Sequence, residues 1–202
     1  SISSISQPKI WIQRRPEKVS GIVSKEQDAY LKDISVTLDM DKEFRDNEYL
    51  GPGTKTYGPS FKTMVFRIEK TAGMRFDWKL SPVLPQMAAA YPGGVIVVNP
   101  KRLRIISAPG QYIAIFHEVG HHALNHTGQF GPVKKLDQPW LSQANEKAAD
   151  IYAGEAMKKA GFSIHEITYG AIDAFKKVPE QGTDRLNSRS VRILTVKTAA
   201  GG

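Results

Sequence analysis

The chain contains no cysteine. That absence excludes disulfide staples, thiolate metal ligands and a thiol nucleophile, so any metal must sit on His, Asp or Glu. No apolar run approaches the roughly 18 to 20 residues that a membrane-spanning helix needs, and no transmembrane segment is expected. Long blocks of like charge are missing as well. The formal charge is +8, from 28 Lys and Arg against 20 Asp and Glu, but the basic residues come in scattered pairs such as Arg14-Arg15, Lys134-Lys135 and Lys176-Lys177. They are not interleaved with aromatics in the way a single-strand binder requires. The expected surface is basic and solvated, with no nucleic-acid partner. There is no internal repeat. The opening SISSISQPKI is not a charged segment followed by an apolar one, and because the chain begins at Ser1 the expected compartment is periplasmic or secreted, with the cytoplasm as the alternative.

What remains describes one folded unit. With 202 residues, 41% of them apolar, the chain can bury a sizeable core in a single domain. Residues 1–20 are expected to be an N-terminal arm, patterned only at Ile10-Trp11-Ile12, and residues 21–202 the domain. A helix is expected from Ser24, where SKEQ offers a serine cap and Tyr30, Leu31, Ile34 and Leu38 share one face. The charged segment up to GPGTKTYGPS reads as a loop. Alternation over Phe61–Glu69 predicts a strand, followed by a second around Met74–Trp78. GGVIVV, from Gly93 to Val98, predicts a β-branched strand stopped by Asn99-Pro100. Ser107-Ala108-Pro109-Gly110 starts a helix that runs to about His126. Two further helices are expected, one from Ser142 to Ala160 closed by Gly161 and one over Ser163–Phe175. The tail beyond Pro179 carries no clear pattern, and Ala199–Gly202 is expected to fray.

The helix after Ser107 holds HEVGHHALNH, with four of the chain's five histidines. Residues four apart on a helix differ by about 40° around the axis, so His117 and His121 project from one face and can meet one metal ion. Glu118 lies beside the first of them. It can point past the metal to the water at its open position, where a general base belongs. His122 stands about 100° from His121, and His126 is turned well away from the shared face. Both read as supporting or packing residues, and His165 receives no role.

The third ligand separates two possibilities. A pattern with glycine at 124 and histidine at 127 fails, because the chain has Leu124 and Thr127 there. The other takes a carboxylate from a second helix. In Asn145-Glu146-Lys147-Ala148-Ala149-Asp150, Glu146 and Asp150 are again four apart. Glu146 completes a His2Glu set and leaves a fourth position for water. Asp150 can accept the hydrogen bond from the free ring nitrogen of His117 and fix its tautomer.

These motifs resemble those of the gluzincin metallopeptidases, and in detail peptidase family M48, which includes the CAAX prenyl endopeptidases and the HtpX and BepA type proteases. HEVGHHALNH is similar to that family's HExxH helix. NEKAADIYAGEAMKKAGFS is similar to its ExxAD helix with an Ala-Gly-aromatic turn. Residues 88–98, AAAYPGGVIVV, resemble its Asn-Ala-Phe-Ala-x-Pro-Gly-Gly segment, which leads into the edge strand above the cleft. The likeness covers about residues 24–175. Met87 stands where the family has Asn, and no His-Pro precedes Arg189. No family position therefore carries over onto Arg189 or Arg192, and the oxyanion-stabilising group is unassigned. The membrane helices of many members are absent, which is like the small soluble ones.

The resemblance implies an α+β, zincin-like fold, with the active-site helix and the glutamate helix under a small mixed sheet with a Gly-Gly edge strand. It implies a zinc metalloendopeptidase with one Zn2+ per chain, held by His117, His121 and Glu146, in which Glu118 activates the zinc-bound water. Gly93, Gly94, Val95, Ile96 and Val97 would bind an unfolded or extended polypeptide substrate by strand addition. Two other readings are a cytosolic regulatory protease of the M78 type, which also uses a His-Glu-x-Gly-His helix, and a non-catalytic zinc-containing binding or chaperone protein.

Overall fold

A computed structural model describes residues 17–19, 21, 23–36, 49–51, 54–56, 61–128 and 138–202. In chain order they form β1 (Glu17–Lys18), α1 (Lys25–Ile34), β2 (Tyr49–Gly51), β3 (Thr54–Thr56), α2 (Phe61–Ala72), β4 (Met74–Arg75), β5 (Asp77–Leu80), β6 (Ala88–Tyr91) and β7 (Val95–Val98). Five helices follow: α3 (Pro100–Leu103), α4 (Ala108–Ala123), α5 (Gln143–Lys159), α6 (Ile164–Ala174) and α7 (Arg189–Ala199). The class is mixed α+β. No helix among the described residues is long and apolar enough to cross a membrane.

The sheet that positions the site has the order β5-β7-β6 and is mixed, with β7 parallel to β5 and antiparallel to β6. This overturns the edge-strand expectation. Val95–Val98 is the central strand, and its backbone groups are engaged on both sides. Both of its faces are also covered, which explains the unbroken apolar run VIVV. Ile96 and Val98 enter the main core with the helices. Val95 and Val97 enter a smaller core around Leu31, Leu84, Tyr91 and Trp140. Among the described residues, the unpaired edge nearest the histidine helix belongs to β6.

The expected strand at 61–69 is also overturned, because these residues form α2. Phe61, Met64, Ile68 and Thr71 are its buried residues, spaced three to four apart as one helix face requires. Val65, Phe66 and Ile68 lend the segment a strand-like composition, but Phe66 is 68% exposed and belongs to no alternating buried face. The expected strand at 74–78 is divided into β4 and β5, the first pairing in parallel with β1. Glu17 and Lys18, inside the expected arm, are thereby tied to the body. Ile10-Trp11-Ile12, Leu38 and Lys134-Lys135 lie outside the described residues.

Local signals account for the helix ends. Ser24, Ser107, Ser142 and Ser163 each cap a helix through their side-chain oxygen. Gln27 does not return the favour to Ser24, since its amide donates instead to the Pro92 carbonyl at 2.8 Å. The histidine helix stops at Ala123, earlier than expected. Asn125 takes a left-handed conformation, φ 58°, and the His126 amide closes back onto the His121 carbonyl at 2.8 Å. The C-terminus is ordered where fraying was expected: α7 extends to Ala199, Ala200 is buried, and the Gly202 amide bonds the Lys197 carbonyl at 2.9 Å.

Small residues set the helix spacing around the site. A Cβ on Gly154 would stand 2.3 Å from the Val196 carbonyl oxygen and 2.9 Å from the Ala199 Cβ, so α5 and α7 meet almost backbone to backbone there. Gly154→Ala is expected to destabilise the fold by roughly 1–3 kcal/mol through overpacking. Denaturant unfolding that gives an unchanged midpoint would contradict this packing.

Candidate metal centre

The C-terminal half of α4 and the first two turns of α5 bring His117, His121 and Glu146 together, all three buried. His117 Nε2 lies 3.2 Å from His121 Nε2 and 3.0 Å from Glu146 Oε2. His121 Nε2 lies 3.2 Å from Glu146 Oε1. Tetrahedral nitrogen ligands about 2.0–2.1 Å from one ion stand roughly 3.3–3.4 Å apart, so this spacing fits a shared cation. The outward ring nitrogens are engaged elsewhere. His117 Nδ1 meets Asp150 Oδ1 at 2.7 Å, and His121 Nδ1 meets His126 Nδ1 at 2.9 Å. When His117 and His121 each carry the proton on Nδ1, two Nε2 lone pairs and a carboxylate converge on one point. The group can hold a metal ion.

Without a cation the same convergence traps a proton. Burial pulls His117 down, but Glu146 and Asp150 outweigh it and lift its pKa to about 10. Burial would raise Glu146, yet His117 and His121 hold it well below the usual carboxylate range. A cation must displace the proton, so uptake near neutral pH is expected to release about one proton per chain and to weaken as the pH falls. Calorimetry in buffers of different ionisation enthalpy measures that release. An uptake with no proton release would mean that His117 is not a ligand.

Glu118 is not part of the cluster. Half-buried, it faces a cleft of about 500 Å3 that His117 and Glu146 also line. Its Oε2 accepts the Ala90 amide of β6 at 2.9 Å. Burial lifts its carboxyl above the ordinary range, against the opposing pull of His117 and His121. Because the Ala90 amide points away from β7, the period-two alternation of a strand directs the Ala88 amide to the same free edge.

Asp150 has a second partner that sequence reasoning missed. Arg192 of α7 grips it with two hydrogen bonds, Nε to Oδ2 at 2.8 Å and Nη2 to Oδ1 at 2.9 Å. The guanidinium also lies 4.2 Å from the Phe175 ring centroid. Burial would raise Asp150, but Arg192 and then His117 hold it down as a carboxylate. The available signal was a charged residue in an apolar stripe, since Arg192 and Val196 are the buried residues of α7.

The other sequence candidates fall in two groups. His126 is brought to His121 as described. His122 turns away to the sheet, with Nε2 2.8 Å from the Val95 carbonyl oxygen and its ring stacked on Phe76; burial lowers its pKa to about 4. Gly93–Val97 are not at the free edge. Gly93 and Gly94 take positive φ, 85° and 71°, in the turn between β6 and β7.

No protein-family model and no curated protein matches the chain. The functional reading therefore rests on the residues themselves.

Proposed function

We propose that the chain is a zinc-dependent endopeptidase of the gluzincin kind, similar to family M48 in its motifs and zincin-like in fold. The observation that carries this reading is the place of Glu118: a carboxylate on the cleft wall beside a His2Glu cluster, held by a backbone amide and free of the cluster itself. Two imidazoles, one carboxylate and no thiolate are a donor set suited to catalytic zinc. Zinc held there supplies Lewis acidity and makes water nucleophilic near neutral pH. Glu118 takes the proton of the attacking water and returns it to the leaving amine. Asp150 and His126 hold the ligand rings in the tautomers they need.

Substrate pairs with the edge of β6, not with the Gly-Gly strand. The Ala88 amide is a donor for an added strand, and such pairing reads backbone more than side chains. Ala88→Pro deletes that donor and is expected to raise KM for long peptides about two- to tenfold, the worth of one net hydrogen bond, with dipeptide substrates little affected. Equal effects on long and short substrates would count against strand addition.

The experiment that tests the function combines metal analysis with casein digestion. About one zinc per chain is expected, with hydrolysis abolished by a chelator and restored by zinc. Stoichiometric zinc without hydrolysis of any unfolded protein would overturn the enzyme reading in favour of a binding module.

A further inference from the structure

Besides Arg192, which is paired with Asp150, four cationic side chains line the cleft. Arg102 belongs to α3, and Lys176, Lys177 and Arg185 to the segment between α6 and α7. All four are exposed. Among the described residues lining the cleft, the only carboxylates are Glu118 and Glu146, which lie in or beside the ligand cluster. Two nearby acids are committed elsewhere: Asp173 accepts the Ser107 amide and the Lys176 ammonium, and Glu180 pairs with Arg189. Arg102 is anchored by its Nε, which donates to the Leu84 carbonyl at 3.2 Å, leaving the rest of its guanidinium for the cleft. Discounting Lys176, three exposed cations remain on the described lining, and apart from Glu118 and Glu146 that described lining holds no carboxylate; Asp184, exposed beside Arg185, lies outside it.

We propose that this rim makes the cleft selective for acidic polypeptide: an extended segment carrying Asp or Glu within a few residues of the bond presented to Glu118. The inference deepens the endopeptidase reading and depends on it for cleavage, but not for binding. The heads are solvated, so each contact contributes only a factor of about two to five. Several acting together impose a preference of roughly tenfold, and like-charge repulsion rejects basic segments. Potential focused in a cleft also draws acidic chains in faster, and added salt screens that effect.

The test uses labelled peptides identical except for Glu, Ala or Lys flanking the central bond, bound to the Glu118→Gln protein and followed by fluorescence anisotropy. The Glu peptide is expected to bind roughly tenfold more tightly than the Ala peptide and the Lys peptide to bind most weakly, with the differences shrinking in high salt. The Arg102→Glu/Lys177→Glu/Arg185→Glu protein, all three changes being on exposed side chains, is expected to reverse the order. Equal binding of the three peptides, or an order that survives the triple change, overturns the proposal. Displacement of the acidic peptide by oligothymidylate of equal charge at a lower concentration than by unlabelled peptide assigns the rim to nucleic acid and also overturns it. Wild-type kcat/KM should follow the binding order. Binding in that order without any cleavage keeps the rim and overturns only the endopeptidase reading.

Discussion

Glu118→Gln is expected to cut casein hydrolysis by at least about 100-fold while zinc content and thermal stability stay near wild type. The expectation separates the proton acceptor from the ligands. Glutamine keeps the size of the side chain, and its amide oxygen can still accept the Ala90 amide that Glu118 now holds at 2.9 Å. It cannot take a proton from water, and general-base catalysis typically contributes a factor of roughly 10² to 10⁴. His117→Ala and Glu146→Ala should behave differently, losing metal and activity together, because each removes one of three donors. Hydrolysis that persists in a zinc-loaded Glu118→Gln protein would mean that another group activates the water.

The second large effect concerns Arg192. Arg192→Ala leaves Asp150, 1% exposed, as a buried carboxylate with His117 as its one remaining hydrogen-bonding partner in the site. Breaking such a pair from one side typically costs about 3–5 kcal/mol. Asp150→Ala strands the guanidinium in the same way and also frees the His117 ring, so zinc affinity or activity should fall roughly 10 to 100-fold as well. The double variant Arg192→Ala/Asp150→Ala leaves neither charge of the pair orphaned and should be less unstable than the sum of the two single changes. A double-mutant cycle by denaturant unfolding measures the difference. Strict additivity would mean that the two hydrogen bonds contribute nothing to stability.

These two experiments also mark where the sequence could be read and where it could not. The ligand helix and the glutamate helix are specified locally. A serine before each start, four-residue spacings within each and a glycine after the second all lie inside one element, so His117, His121, Glu146 and Asp150 could be placed from their neighbours alone. Whatever depends on distant pairing was not legible. Val95–Val98 is central only because Asp77–Leu80 lies along its other side, and no feature of GGVIVV announces that partner. Arg192 reaches Asp150 across 42 positions. The error at Phe61–Ala72 has another cause. Its branched and aromatic residues have strand propensity, but Met64 and Ile68 are fully buried at a helical interval, and burial overrode propensity.

The polar chain that runs from His117 through Asp150 to Arg192 spans α4, α5 and the last helix. Undocking of α7, with the rest of the fold intact, would expose the α5 face at Gly154, take the guanidinium from Asp150 and loosen the ring of a metal ligand. Structural openings of this kind have their own free energy, separate from global unfolding. Were the cluster to hold a metal ion, its release would be coupled to the opening of an eleven-residue helix that contributes no ligand to it, and amide exchange in α7 and loss of metal should rise together.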